Sequence, residues 1–230
     1  MKVFSLNTWL VPFTSQDRVE RREKIAKYIL KNNFDVITLQ EVWLTKDVHY
    51  FVQALQKYKY CGQEHFFLNP SGLVTFFKGD LIHTHRKTLP LPPMPNISAH
   101  FVKKGFLHTQ ISCSGKIFDI VNTHFQDYNN YKSPENCAHL SSLQKRFKDS
   151  KRVILAGDFN VDKQFIQENK TFPFAPKQNT YCMKNPYAQD IVRDIQFDYV
   201  FFKGLRAKRS QVVKQIFSDH YGIAVDLEYQ

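Results

Sequence analysis

Apolar and polar positions recur with two different periods along the chain, and each change of period marks an element. Residues 2–8 (KVFSLNT) alternate with period two and predict a strand. Over residues 18–31, Ile25, Ala26, Ile29 and Leu30 share one helical face, with charges elsewhere. Residues 34–41 (FDVITLQE) form a β-branched run that ends in two polar residues. Val48, Phe51, Val52 and Leu55 then follow the i, i+3, i+4, i+7 pattern of a second helix. Residues 72–78, 81–88, 106–112 and 116–123 read as strands, the last two joined at SCSG as a hairpin. A third helix starts at Ser133-Pro134-Glu135, an N-cap with proline at the first helical position, and turns Leu140, Leu143 and Phe147 inward. Residues 152–158, 195–202, 212–217 and 223–229 complete the strand set. Residues 89–95 (LPLPPMP) are read as a stiff surface loop within one domain that spans residues 1–230. This many strands with about three helices predicts a four-layer α-β-β-α sandwich: two packed, mainly antiparallel sheets flanked by helices.

Composition narrows the picture. Hydrophobic residues make up 43% and charged residues 23% of 230, which supports a large core and excludes wholesale disorder. No apolar run approaches the ~20 residues of a membrane-spanning helix, and the N-terminal MKVFSLNTWLVPF is a poor signal peptide. A soluble monomer is expected, cytoplasmic or exported without a recognisable signal. Cys61, Cys113, Cys137 and Cys182 show no metal-type spacing and are expected to be buried free thiols. The balance of 32 basic against 21 acidic residues leaves a net charge of +11, which favours anionic partners such as nucleic acid, phosphate esters or acidic lipid.

The chemistry lies where strands stop. Asn7 closes the first strand, Gln40-Glu41 the second and Asn122-Thr123-His124 a third; Asp158-Phe159-Asn160 follows VILAG, Asp198 sits in IQFDYVFF, and Ser218-Asp219-His220 precedes the last strand. Singly, such residues are ordinary turn chemistry. Together they offer hard oxygen ligands for Mg²⁺, or Mn²⁺, and two histidines able to move protons or hold phosphoryl oxygens. No glycine-rich loop opens a helix, which excludes the phosphate-loop folds.

LNTW, LQEVW, NTH, GDFN, FDYVF and SDH, in this order, resemble the endonuclease/exonuclease/phosphatase superfamily, whose fold is the same four-layer sandwich. QEVWLTKDVHYFVQALQKY, PSGLVTFFK and KKGFLHTQI are most similar to neutral sphingomyelinases and bacterial sphingomyelinase C. Two departures stand out. Lys103 replaces an acid of the secreted bacterial enzymes, and no C-terminal membrane helix is found. The resemblance implies Glu41 as the principal metal ligand, with Asn7 and Asp219 at the metal. It implies catalytic roles for His124, Asp158, Asn160, Asp198 and His220, and phosphate contacts from Asn160, His124 and Lys104. The remaining histidines are assigned to surface or packing.

The expected activity is Mg²⁺-dependent phosphodiester hydrolysis, with a phospholipid at a membrane surface as the leading substrate. A nuclease of the same superfamily is the alternative; a phosphoinositide phosphatase and a non-catalytic binding module stand behind it. Residues 145–152 (KRFKDSKR) and 203–209 (KGLRAKR) read as a solvated helix end and a loop. The apolar tips at residues 10–13 and 89–101 favour lipid. YNNY at residues 128–131 reads as a polar loop near the substrate entrance.

Overall fold

Strands whose alternate residues are apolar on both faces must be covered on both faces, and the computed structural model achieves this with four layers. It describes residues 1–62, 66–88, 103–127, 134–188 and 191–229. Sheet I contains β1 (Lys2–Leu10), β2 (Val36–Val42), β3 (Lys59–Gly62), β4 (Val74–Phe77), β11 (Leu205–Val213) and β12 (Gly222–Tyr229), in the order β11-β12-β1-β2-β4-β3. Sheet II contains β5 (Asp80–Thr88), β6 (Gly105–Cys113), β7 (Lys116–His124), β8 (Val153–Asp158), β9 (Phe174–Ala175) and β10 (Asp198–Lys203), in the order β5-β6-β7-β8-β10-β9. Each sheet is antiparallel except for one central parallel pair, β1 with β2 and β7 with β8.

The period-two pattern sorts side chains between layers. Val3, Val36, Ile120, Ile154 and Val200 point into the space between the sheets. Their neighbours Phe4 and Ile37 meet α1 (Arg18–Asn32) and α2 (Thr45–Ala54) through Ile25, Ile29, Val48 and Phe51. On the far side Val121, Leu155 and Phe201 meet α3 (Pro134–Arg146) and α4 (Lys163–Asn169) through Leu140, Leu143 and Ile166. The structure thus has the expected four layers.

Several expectations change. Leu30 is 40% exposed, and the fourth position of the α1 stripe is Arg21, at 1%. The KGLRAKR stretch is no loop: it closes β10, turns at Gly204 and runs on as β11. Its exposed basic side chains line a sheet edge, where charge discourages pairing with another chain. Residues 214–217, read as strand, leave β11 as a connection. Leu10 is fully buried rather than part of an apolar tip, and β1 runs three residues past Asn7. Of the four free cysteines, only Cys61 and Cys137 are buried; Cys113 and Cys182 are half-buried. The elements β3, α4 and β9 have no counterpart in the sequence reading. Ser133, the 89–101 loop with Met94, His65, and YNNY lie outside the described residues.

Candidate active site

The two parallel pairs carry the site. Because β1 and β2 run together, Asn7 and Gln40 are in register, and Glu41 follows at the same end of sheet I. In sheet II His124 is in register with Asp158, and Asp158 with Asp198 across β10. Gly157 makes this spacing attainable. Its φ is 147°, and a Cβ there would lie 1.9 Å from the Thr123 carbonyl oxygen, so β7 and β8 close up only around glycine.

Side chains from both sheets converge on a cleft of about 420 Å³. The Asn7 Nδ2 donates to Glu41 Oε1 at 3.1 Å and to Asp158 Oδ2 at 3.0 Å. Its own Oδ1 takes the Trp9 N–H at 3.0 Å. The Asn160 backbone N–H holds the other Asp158 oxygen at 2.9 Å, and its side chain donates to the Phe125 carbonyl. His220 Nδ1 meets Asp198 Oδ2 at 2.7 Å, which leaves Nε2 3.9 Å from Asp158. His124 Nε2 stands 3.6 Å from Asp158 and 3.7 Å from Glu41. Asp219 accepts from Ser218 and from the His220 N–H. Trp9, Glu41 and Asn160, all lining the cleft, have φ of 46°, 58° and 49°. Left-handed backbone at three non-glycine residues costs on the order of 1–3 kcal/mol each, and such strain gathers where function over-determines geometry.

Charge is crowded here. Burial pushes the Asp158 carboxyl up to about 7, against the pull of His220, with Asp198 adding to the rise. Burial likewise lifts Asp219 to about 6, opposed by His220 and reinforced by Glu41. For His220, burial disfavours the cation, but Asp198, Asp219 and Asp158 together outweigh it and hold the imidazole well above its ordinary range. His124 goes the other way: burial, then Lys104 and His220, keep it neutral. Lys104 is the single lysine or arginine among the described residues lining the cleft.

This donor set fits a hard divalent cation. Three carboxylates, Glu41, Asp158 and Asp219, line one cleft, and the Glu41 side chain is 15% exposed against 2% for Asp158. Asp158, Asp198 and His220 also bring ligand atoms within 4.8 Å of one another. His220, however, gives Nδ1 to Asp198 and is held protonated, whereas a ligating imidazole must be neutral.

All nine residues singled out from the sequence, Asn7, Glu41, Lys104, His124, Asp158, Asn160, Asp198, Asp219 and His220, lie in or directly behind this cleft. Asp198 is behind, reaching it through His220. The sequence reading missed the supports. Gln40 Nε2 donates to Asn122 Oδ1 at 2.8 Å, a fully buried link between sheets directly below Glu41 and His124. Arg21 donates to the carbonyls of Thr8, Trp9, Gln16 and Phe217, joining the segments that flank Asn7 and Asp219. Amides inside apolar strands, and an arginine four residues before Ile25 in an apolar stripe, were the available signals.

The profile of the Endonuclease/Exonuclease/phosphatase family matches residues 4–220. Sphingomyelin phosphodiesterase 2 of Homo sapiens is 24% identical over 238 residues, covering 89% of this chain and 56% of that protein. The inositol phosphosphingolipids phospholipase C of Schizosaccharomyces pombe is 28% identical over 178 residues, covering 70% and 41%. The chain thus spans about half the length of the curated relatives it matches. Among solved structures, D. rerio TDP2 complexed with single strand DNA product superposes with a TM-score of 0.80 at 16% identity, covering 99% of this chain and 98% of that one, a likeness of fold.

Proposed function

The chain belongs to the endonuclease/exonuclease/phosphatase family, and on that premise we propose that it is a divalent-metal-dependent phosphodiesterase that removes the headgroup of a sphingophospholipid. The observation that carries the chemistry is the facing pair in one cleft: an acid–imidazolium relay, Asp198–His220, opposite the Asn7-linked carboxylates Glu41 and Asp158. Relatives described as a sphingomyelin phosphodiesterase and an inositol phosphosphingolipids phospholipase C support the lipid class. So does a cleft with one lysine among its described lining residues, where a polynucleotide backbone calls for a row of cations.

An ion seated at Glu41, Mg²⁺ or Mn²⁺, would supply positive charge to the phosphoryl oxygens. Asn7 holds Glu41 and Asp158 at a fixed separation, and Asp219 would add negative charge that helps to hold the ion. Asp158, with an affinity for protons near neutrality, takes one from the attacking water as its oxygen bonds to phosphorus. His220, held protonated by Asp198, gives its Nε2 proton to the lipid alkoxide as the phosphorus–oxygen bond breaks. The two groups lie 3.9 Å apart, so the proton gained by Asp158 can restore His220 and close the cycle. Neutral His124, Asn160 and Lys104 orient and neutralise the phosphoryl group.

The test is a substrate panel of micellar sphingomyelin, an inositol phosphosphingolipid, phosphatidylcholine, plasmid DNA and RNA, with Mg²⁺ and with chelator. Metal-dependent release of a phosphorylated headgroup from a sphingolipid is expected. Metal-dependent plasmid or RNA cleavage without headgroup release would move the chain to the nuclease reading.

A further inference from the structure

The most exposed large apolar side chains among the described residues are Phe13 (104%), Val192 (93%), Phe66 (87%) and Phe67 (72%); every other one is at most 60% exposed. All four lie on connections around the cleft. Phe13 is two residues beyond Val11, which lines the cleft after β1. Phe66 and Phe67 stack edge to face at 4.3 Å, and the Phe67 carbonyl takes the Thr45 N–H. Leu44 and Leu68 are also bridged, so this aromatic pair is fixed at the end of β2 from which Glu41 emerges. Val192 follows Ile191, another residue of the cleft wall.

We propose that this ring of knobs is a docking surface for the interface of a phospholipid bilayer, set so that the cleft opens against the headgroup layer. The proposal rests on the phospholipid reading of the site. The knobs sit on three separate connections with the open cleft among them. A folded partner covering all three would close the cleft. A fluid lipid surface accommodates isolated protrusions and presents a headgroup between them. Exposed Lys46 beside Phe66 and Phe67, and exposed Lys103 next to Lys104, add the cationic neighbours that lipid phosphates attract. The aromatic rings insert and the lysines stay at phosphate level.

The experiment separates docking from catalysis. Vesicles of phosphatidylcholine with sphingomyelin are sedimented with the protein in excess chelator, so that no turnover contributes. The triple variant Phe13→Ser, Phe66→Ser, Phe67→Ser should partition at least ~tenfold less than the parent, and Val192→Asp should also weaken partitioning. Both variants should retain the parental Tm and the rate on a water-soluble nitrophenyl phosphodiester. A Phe13→Trp variant should shift its emission to the blue on adding vesicles and be quenched by brominated lipid. Parental partitioning by the triple variant, no partitioning by the parent, or indole emission from the Phe13→Trp variant that is indifferent to lipid would overturn the proposal. So would a dimer in sedimentation equilibrium that the triple variant dissociates, since the knobs would then belong to a second copy. Vesicle binding with no metal-dependent phosphodiesterase activity would leave docking standing and remove the catalytic reading; the reverse pattern would do the opposite.

Discussion

At the scale of single residues, the sharpest contrast is between two imidazoles in one cleft. His220 is held cationic by three carboxylates despite burial, and His124 is held neutral by burial and by Lys104 and His220. If His220 is the proton donor, turnover must fall as pH rises through its pKa. Asp198→Asn removes the largest of the anionic contributions opposing burial, so the imidazolium is destabilised and its pKa falls. The alkaline limb of kcat should move to lower pH in that variant, as read from a pH–rate profile; an unmoved limb would assign the donor elsewhere. Glu41→Gln keeps shape and the Asn7 contact but loses the charge. Activity should drop by ~10²-fold or more at modest Mg²⁺, the scale of losing one charge-stabilising group, with Tm unchanged within a few degrees. Turnover that persists in excess chelator would refute a metal at Glu41 outright. His49, exposed on α2, should tolerate alanine without loss of rate.

At the scale of elements, the site depends on two sheets keeping a fixed offset, and the Gln40–Asn122 link is a fully buried polar tie between them. Both residues are fully buried, and Asn122 also donates to the Leu39 and Val74 carbonyls across the gap. Gln40→Leu strands the Asn122 carbonyl oxygen, which costs on the order of 1–3 kcal/mol. The double variant Gln40→Leu, Asn122→Leu also takes the donor from the Leu39 and Val74 carbonyls and should lower Tm further, while kcat, measured well below either Tm, should already be lost in the single variant. That split, measured by calorimetry and steady-state kinetics, distinguishes positioning from stability alone. The same elements differ in how legible they were. α1 could be read because Ile25, Ala26 and Ile29 make a stripe, and the six polar strand ends because they interrupt long apolar runs. β11 could not, because an edge strand exposed along Arg206 to Gln211 has no apolar alternation to betray it. β3 with four residues and α4 with seven are too short for either period to repeat. The site residues were legible by type and order, while Asn7 as a link between carboxylates needed the fold to bring Glu41 and Asp158 together.

At the scale of the whole molecule, titration links the site to stability. Asp35 and Asp119 are held below the ordinary 3.8: burial alone would raise them, but Lys78 and the Lys2 N–H outweigh it in one, His108, Ser150 and Gln110 in the other. Their contribution is complete above 3.8 and is lost as pH falls through the lowered values. Asp158 and Asp219 are raised to about 7 and about 6, so the folded state binds protons that the unfolded chain has released, and stability falls as pH rises from 3.8 towards 7. His220, also raised, is stabilising below 6.5 and loses that contribution as pH climbs through its folded pKa. Buried His124 works the other way below 6.5, where the unfolded chain takes up a proton that the fold refuses, but Asp158, Asp219 and His220 together outweigh it, so the metal-free protein should have a higher Tm at about pH 5 than at about pH 8. Adding Mg²⁺ should raise Tm far more at about pH 8 than at about pH 5, because cation and protons compete for the same carboxylates. A metal-induced shift equal at both pH values, in thermal scans, would contradict the carboxylate cluster as the binding site.

Sheet I also carries a consequence for how the chain is made. β1 lies between β2 and β12, and the Met1 ammonium and carbonyl are both bonded to Leu227. One edge of the first strand is thus completed only by residues near the other end of the sequence. On a ribosome adding 5–20 residues per second, β1 waits roughly ten to forty seconds with that edge bare. Throughout this interval Lys2 to Ser5 lack their antiparallel partners, and the strand Lys2–Leu10 is an open template for any extended segment nearby. Synthesis of this protein is a race between the arrival of β12 and the capture of β1 by something else.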